Sequence, residues 1–248
     1  MNYIFCAAIL SLVYLQNKTK KMNNSLYNNQ RIKFLFFVFL LLGIYQTADA
    51  HVAVVELENM SSKDTVLLYI KLGFEHIIPL GFDHILFVLS LFLLNPKLKP
   101  VLIQATAFTV AHTVTLGLSM YQVINPPSTI VEPIIALSIM YVAMENIISP
   151  KLKPSRIGIV FLFGLIHGMG FASVLSNLGL PEKSFLTSLL MFNVGVELGQ
   201  ITIIISAYFL LAKFFGDKPY YRKYIVIPLS GIIFLIATYW TIERIFFT

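Results

Sequence analysis

Nine side chains in this sequence stand where hydrocarbon makes them costly: His76, Asp83, His84, His112, Glu132, His167, Asn193, Glu197 and Gln200 lie at or within long apolar runs. An ionisable group at the centre of a bilayer costs ~2.5–3.5 kcal/mol even on the lenient insertion scale, so such groups usually face a polar interior and serve a function there. The chain has five histidines, and all but His51 fall at or within apolar runs. Imidazole and carboxylate together suit borderline divalent cations such as nickel, cobalt, zinc, iron or copper. The single cysteine, Cys6, stands far upstream of these residues. No disulfide can form within the chain, and a metal site here must use nitrogen and oxygen ligands.

Spacing supports the same chemistry. Asn193, Glu197 and Gln200 stand at i, i+4 and i+7 and share one helix face. Thr109 and Thr115 flank His112 at i−3 and i+3 and extend a polar stripe around it. His76 and Asp83 are seven apart, close to alignment on a continuous helix, but Pro79 and Gly81 lie between them and favour a break. A break would put His76 in the outer mouth, with Pro79 in the first turn of the span. The competing reading is that these groups only hydrogen-bond helices together. It applies to any one of them more readily than to the whole set.

The elements that must position these residues are membrane helices. Of 248 residues 57% are hydrophobic and only 12% charged, where a soluble domain has roughly a quarter charged. Mean hydropathy is +0.80. The net charge of +6 does not mark a nucleic-acid binder, because the basic residues are not gathered on one face. They sit mostly in short linkers between apolar runs, as in membrane proteins. Six such runs cover Pro79–Leu94, Val101–Tyr121, Ile130–Ile148, Ile157–Leu178, Phe185–Phe215 and Tyr224–Phe247. The first is only ~24 Å long as a helix, short of the ~30 Å hydrocarbon core, so it begins earlier, near His76, or lies in a thinned or protein-lined region. Upstream, TVLLYIKLGFE reads as a short helix lying at the membrane surface.

Arg31–Ala50 reads as a signal peptide, with basic Arg31 and Lys33, an apolar stretch and the small-x-small site Ala48-Asp49-Ala50. An uncleaved anchor is the alternative. Linkers after the first, third and fifth runs, with their flanks, carry Lys97, Lys99, Lys151, Lys153, Arg156, Lys213, Lys218, Arg222 and Lys223, against Lys183 alone in the other two. The positive-inside rule places the first set in the cytoplasm and the mature N-terminus outside. Gly164-x-x-x-Gly168 and Gly195-x-x-x-Gly199 read as close helix contacts. NPKLKP at Asn95–Pro100 recurs as SPKLKP at Ser149–Pro154, a short match that fits a parallel repeat or merely two similar turns.

Five segments in order, GFDHILFVLSLFLL, AFTVAHTVTLGLS, VEPIIALSIMYVAMENI, FGLIHGMGFASVL and FNVGVELGQ, resemble the HupE/UreJ family across about His76 to Gln200. Members of that family are associated with hydrogenase and urease maturation and are regarded as nickel or cobalt permeases. The resemblance implies that His76, Asp83 and His84 match the family's histidine–aspartate–histidine motif. It also implies that His112 and His167 match its later histidines, and Glu132, Glu145 and Glu197 its acidic positions. Six residues separate His76 from Asp83 here, where the nickel-linked branch has five, so the chain looks closer to a second branch of the family.

The expected protein is all-α: a polytopic membrane bundle of six transmembrane helices after a cleaved signal peptide. Residues 1–50 form the extension and leader, 51–76 an extracytoplasmic segment and 77–248 the transmembrane domain. The leading functional expectation is import of a divalent cation across a bacterial inner membrane, with nickel or cobalt named by the resemblance. His76, Asp83 and His84 would capture the ion, and His112, His167 and Glu197 would pass it on, with Glu132, Asn193 and Gln200 as further polar groups of the pathway. The ion is cargo, and no tightly bound cofactor is expected. The expected partners are lipid and the ion, with no nucleic acid and with a homo-oligomer left open. Two alternatives stand beside this: an intramembrane zinc-dependent hydrolase with Glu197 as base, which lacks a HExxH motif, and an accessory subunit for metalloenzyme maturation.

Overall fold

Each of the six apolar runs forms a helix, as a chain must in hydrocarbon, where every backbone N–H and C=O has to be satisfied internally. The computed structural model describes residues 61–178 and 184–247, with the side chains of 173–178 outside that description. The expected leader, residues 1–50, and the first ten residues of the extracytoplasmic segment lie outside the described residues. The helices are α1 (Ser62–Ile77), α2 (Phe82–Leu94), α3 (Leu98–Met120), α4 (Ser128–Ile148), α5 (Arg156–Leu178), α6 (Phe185–Ala207) and α7 (Ile227–Phe246). A π-helical stretch, Tyr208–Ala212, carries α6 on to Phe215, and another, Arg222–Val226, leads into α7.

Four segments are long and apolar enough to cross a bilayer: Leu98–Met120, Ser128–Ile148, Phe185–Phe215 and Arg222–Phe246. The pair α1–α2, bent by 72°, makes a fifth if read as one broken span, and Arg156–Ala172 of α5 is a shorter apolar helix. The chain is thus an all-helical, multi-pass membrane protein.

The bend lies where Pro79 and Gly81 place it. Ile78–Pro79 is a cis peptide, and Gly81 caps α2. A Cβ on Gly81 would collide with the carbonyl of His76. Pro79 therefore sits in the connection, not in the first turn of the span, because α2 begins only at Phe82. From His84 to Leu94 every residue of α2 is buried. A helix apolar on all sides belongs inside a bundle, and α2 touches α1, α3, α4, α6 and α7.

The segment expected at the membrane surface packs one face against α6, while Leu67 and Lys71 on its other side stay exposed. Thr65, Tyr69, Gly73 and Ile77 make a buried i, i+4 stripe on α1, and this stripe lies against α6. The physical reason is close backbone approach. A Cβ on Gly73 would strike the carbonyl of Phe192, one on Gly195 the carbonyl of Ile70, and one on Gly199 the side chain of Ile77. Gly164 and Gly168 of α5 meet the carbonyls of Phe108 and His112 on α3 in the same way. Both small-residue pairs are helix contacts, and the second draws α5 against the turn that carries His112.

Arg156 differs from its place in the sequence. Among the basic linker residues it looks solvated, yet its side chain is 1% exposed. Its guanidinium donates to Glu145 Oε2 at 2.8 Å, Asn146 Oδ1 and Gln104 Oε1 at 3.1 Å each, and the Ser90 carbonyl at 3.3 Å. The planar fork of arginine suits several fixed acceptors at once. Glu145 is thereby committed to an ion pair, and the pair ties α2, α3, α4 and α5 together.

Candidate metal centre

The bend between α1 and α2 brings two histidine rings together edge to face. His76 ends α1 and His84 stands in the first turn of α2, with ring centroids 4.6 Å apart. The third ring is His112 of α3, with centroids 6.1 Å from His76 and 6.2 Å from His84. One ligand nitrogen from each of the three lies within 4.8 Å of the others. His76 is therefore part of the cluster.

Hydrogen bonds decide which nitrogen His84 and His112 offer. Asp83 Oδ1 lies 3.0 Å from His84 Nδ1 and also accepts from the His84 backbone N–H at 2.8 Å. A carboxylate can only accept, so His84 Nδ1 carries the proton and Nε2 keeps its lone pair. Asn193 Nδ2 donates to the Leu189 carbonyl at 2.8 Å, which turns Oδ1 toward His112 Nδ1 at 3.1 Å. His112 Nδ1 is then the donor, and its Nε2 also keeps a lone pair. The Nε2 atoms of His76, His84 and His112 are all buried without a hydrogen-bond partner. Buried polar atoms are normally paired. Buried imidazole nitrogens without a protein partner, on three adjoining rings, suit a shared divalent cation.

His167 repeats the logic at the edge of the cluster. Ser138 Oγ donates to the Ile135 carbonyl at 2.7 Å and sits 3.0 Å from His167 Nε2. The hydroxyl proton is used, so Oγ accepts from Nε2–H and Nδ1 is bare, buried and unpartnered. The His167 ring is 5.1 Å from that of His84, centroid to centroid, but His167 is not part of the close trio.

Four phenylalanines wall the cluster. Phe171 packs on His76 at 3.8 Å between centroids and stacks on Phe192 at 5.2 Å. Phe108 lies 4.9 Å from His167, and Phe87 5.3 Å from it. They exclude water and lower the local dielectric, which strengthens every electrostatic contact inside. Sequence reading missed these walls, and Ser138 with them, because a phenylalanine in a membrane helix carries no signal of which way it faces.

The other candidate residues have other partners. Glu132 holds Arg244, with Arg244 Nε 3.7 Å from its carboxylate and Nη1 donating to its carbonyl at 3.0 Å. Glu197 accepts from Thr106 and Thr109 Oγ1 at 2.6 Å each, and Gln200 Nε2 donates to Thr109 Oγ1 at 3.1 Å. Asn193, Glu197 and Gln200 thus share a face, as their spacing requires, and that face meets α3. Only Asn193 touches a histidine of the trio.

The bent α1–α2 pair, the helices packed on α2 and the phenylalanine-walled histidine cluster belong to an all-helical, multi-pass membrane protein in which three histidine nitrogens lie close enough together to hold a metal ion. A family profile described as HupE / UreJ protein matches residues 50–244. The chain belongs to the HupE/UreJ family. No curated relative and no solved structure matches it.

Proposed function

We propose that this protein is a permease that moves a divalent transition-metal ion, nickel or cobalt, across the bacterial inner membrane into the cytoplasm. The observation that carries this reading is the convergence of His76, His84 and His112, one ligand nitrogen of each within 4.8 Å of the others, on rings whose Nε2 atoms are all buried and unpartnered. Imidazole nitrogens suit nickel, cobalt, zinc and copper alike, and membership of the family favours the first two. Asp83 behind His84 and Asn193 behind His112 fix tautomer and ring orientation, as the outer shell of a metal site does. Three neutral ligands hold an ion without trapping it, and His167 stands beside them to accept it next.

Transport is preferred to hydrolysis because the chain carries no HExxH motif and, among the described residues, no carboxylate joins the histidine trio. Asp83 is tied to His84, and Glu197 to two threonines. We read the chain as six spans, with α1 the outer part of a broken first span, and with the linkers bearing Lys97, Lys151 and Lys218 in the cytoplasm. The test is uptake of a panel of divalent ions into sealed vesicles. Nickel or cobalt accumulation that disappears in His84→Ala supports the reading. Ion-independent background in the parent protein would overturn it.

A further inference from the structure

We propose that a groove on α4, between α5 and α7, holds one acyl chain of an anionic phospholipid whose phosphate Arg222 and Lys151 receive. The groove has a volume of about 360 Å³ and is lined by Ile134, Leu137, Tyr141 and Met144 of α4, Phe163 of α5 and Phe234 of α7. Both flanking helices pack on α4. Leu137, Tyr141 and Met144 are exposed, so this side of the bundle meets hydrocarbon. The lining offers little to a polar ligand. Ser138, which also lines the groove, already donates to the Ile135 carbonyl and accepts from His167. The Tyr141 ring packs on Phe163, 5.7 Å between centroids.

Length matches a single chain of a single leaflet. The lined stretch of α4, Ile134 to Met144, rises ~15 Å, half of the ~30 Å hydrocarbon core. It is also placed toward one end. Met144 lies close to Ile148, the last residue of α4, whereas a longer stretch of the helix, from Ser128, precedes Ile134. A docked transmembrane helix would need a groove along the whole span.

The end of the groove nearest Ile148 is cationic. Arg222 Nη2 donates to the Ile147 carbonyl at 2.8 Å, which ties Arg222 to the last turn of α4, about one turn past Met144. That bond uses one of the five N–H groups of a guanidinium, and the planar fork suits a phosphate. Lys151 and Lys153 are exposed in the linker that follows α4, and Lys223 is exposed beside Arg222, its Nζ 5.5 Å from the Tyr224 ring. Of the acidic groups nearest in sequence, Glu145 is paired with Arg156, and Asp217 stands next to Lys218 in the turn before Arg222. Basic residues at the mouth of a cleft between membrane helices bind anionic headgroups. Exposed Tyr220 and Tyr224 mark the same depth, where tyrosine favours the membrane–water interface. No residue of the histidine trio lines the groove, and the lipid site does not depend on the metal reading.

Photolabelling tests the proposal. The full chain is reconstituted in phosphatidylcholine vesicles doped with phosphatidylglycerol that carries a diazirine in one acyl chain, and adducts are mapped by peptide. They should concentrate on Ile134–Met144 of α4 and around Phe234 of α7, several-fold above the exposed face of Ile103 and Val110 on α3. Unlabelled phosphatidylglycerol should compete for the groove, and sodium phosphate should not, which separates a lipid from a free anion. Arg222→Gln removes one cation and should weaken that competition about fivefold. Leu137→Trp, at an exposed position, fills the groove and should remove its adducts while leaving those on α3, which report a folded bundle. Adducts spread evenly over α3 and α4, competition by sodium phosphate, unchanged competition in Arg222→Gln, or α4 cross-linked to a second copy of the chain in place of lipid overturns the proposal.

Discussion

Asp83 holds His84 twice, through the imidazole Nδ1 at 3.0 Å and through the backbone N–H at 2.8 Å. Two adjacent residues thereby form one rigid unit in the first turn of α2, where the helix dipole also favours a negative charge. The aspartate orients the ligand and leaves the Nε2 lone pair for a cation.

Asp83→Asn should therefore weaken nickel binding without abolishing it, by roughly 10–100-fold, the usual cost of losing an outer-shell partner. Isothermal titration of the purified protein measures this. An unchanged affinity would mean that Asp83 does not orient His84.

The trio should be less forgiving than the fourth histidine. His76→Ala, His84→Ala and His112→Ala each remove a direct ligand and should abolish stoichiometric binding. His167→Ala should keep the binding but slow uptake, because His167 lies beside the trio rather than in it. Equilibrium dialysis paired with vesicle uptake separates the two effects. Loss of binding in His167→Ala would make the site four-coordinate in protein ligands.

Close backbone contacts set the stability of the α1–α6 and α3–α5 pairs. Gly73→Ala and Gly164→Ala place a Cβ against the Phe192 and Phe108 carbonyls and should destabilise by about 1–3 kcal/mol, as overpacking does. Gly158→Ala meets nothing within 4 Å and should be neutral or stabilising by up to ~1 kcal/mol through helix propensity. Thermal unfolding in detergent reads all three. Equal losses at Gly158 and Gly73 would refute the packing argument.

The Arg156–Glu145 pair is 2.8 Å long and nearly dry. Glu145→Ala leaves a buried guanidinium without its counter-charge and should cost about 3–5 kcal/mol. Replacing both partners by apolar residues of similar volume, Arg156→Met with Glu145→Leu, should recover much of that loss. A double variant no more stable than Glu145→Ala would argue that the remaining bonds to Gln104, Asn146 and Ser90 dominate.

Orientation is tested by reporter fusions after Lys99, Lys153 and Lys223. All three should report cytoplasm, given nine basic residues in those linkers and their flanks against Lys183 in the others. A periplasmic signal from any of them would overturn the topology.

What the sequence determined by itself is local or one-dimensional. Apolar runs bounded by proline, glycine and charge had to become helices, because no other backbone satisfies itself in lipid without closing a barrel. Pro79 and Gly81 had to interrupt the first of them. Gly164, Gly168, Gly195 and Gly199 had to be contacts, since small residues let backbones approach. The shared face of Asn193, Glu197 and Gln200 follows from helical spacing alone. The rest depends on which face of each helix meets which neighbour, and lipid-solvated helices carry only a weak signal of that. His112 lies 28 residues beyond His84, and nothing local says that their rings meet while Glu197 turns to Thr106 and Thr109. Arg156 reads as one more cytoplasmic charge until the ends of α2, α3 and α4 close over it. The segment from Thr65 to Glu75 is amphipathic enough for a membrane surface, but Gly73 and Gly195 let it lie against α6. Burial and convergence are decided by packing between helices distant in sequence, and only the tertiary structure holds that information.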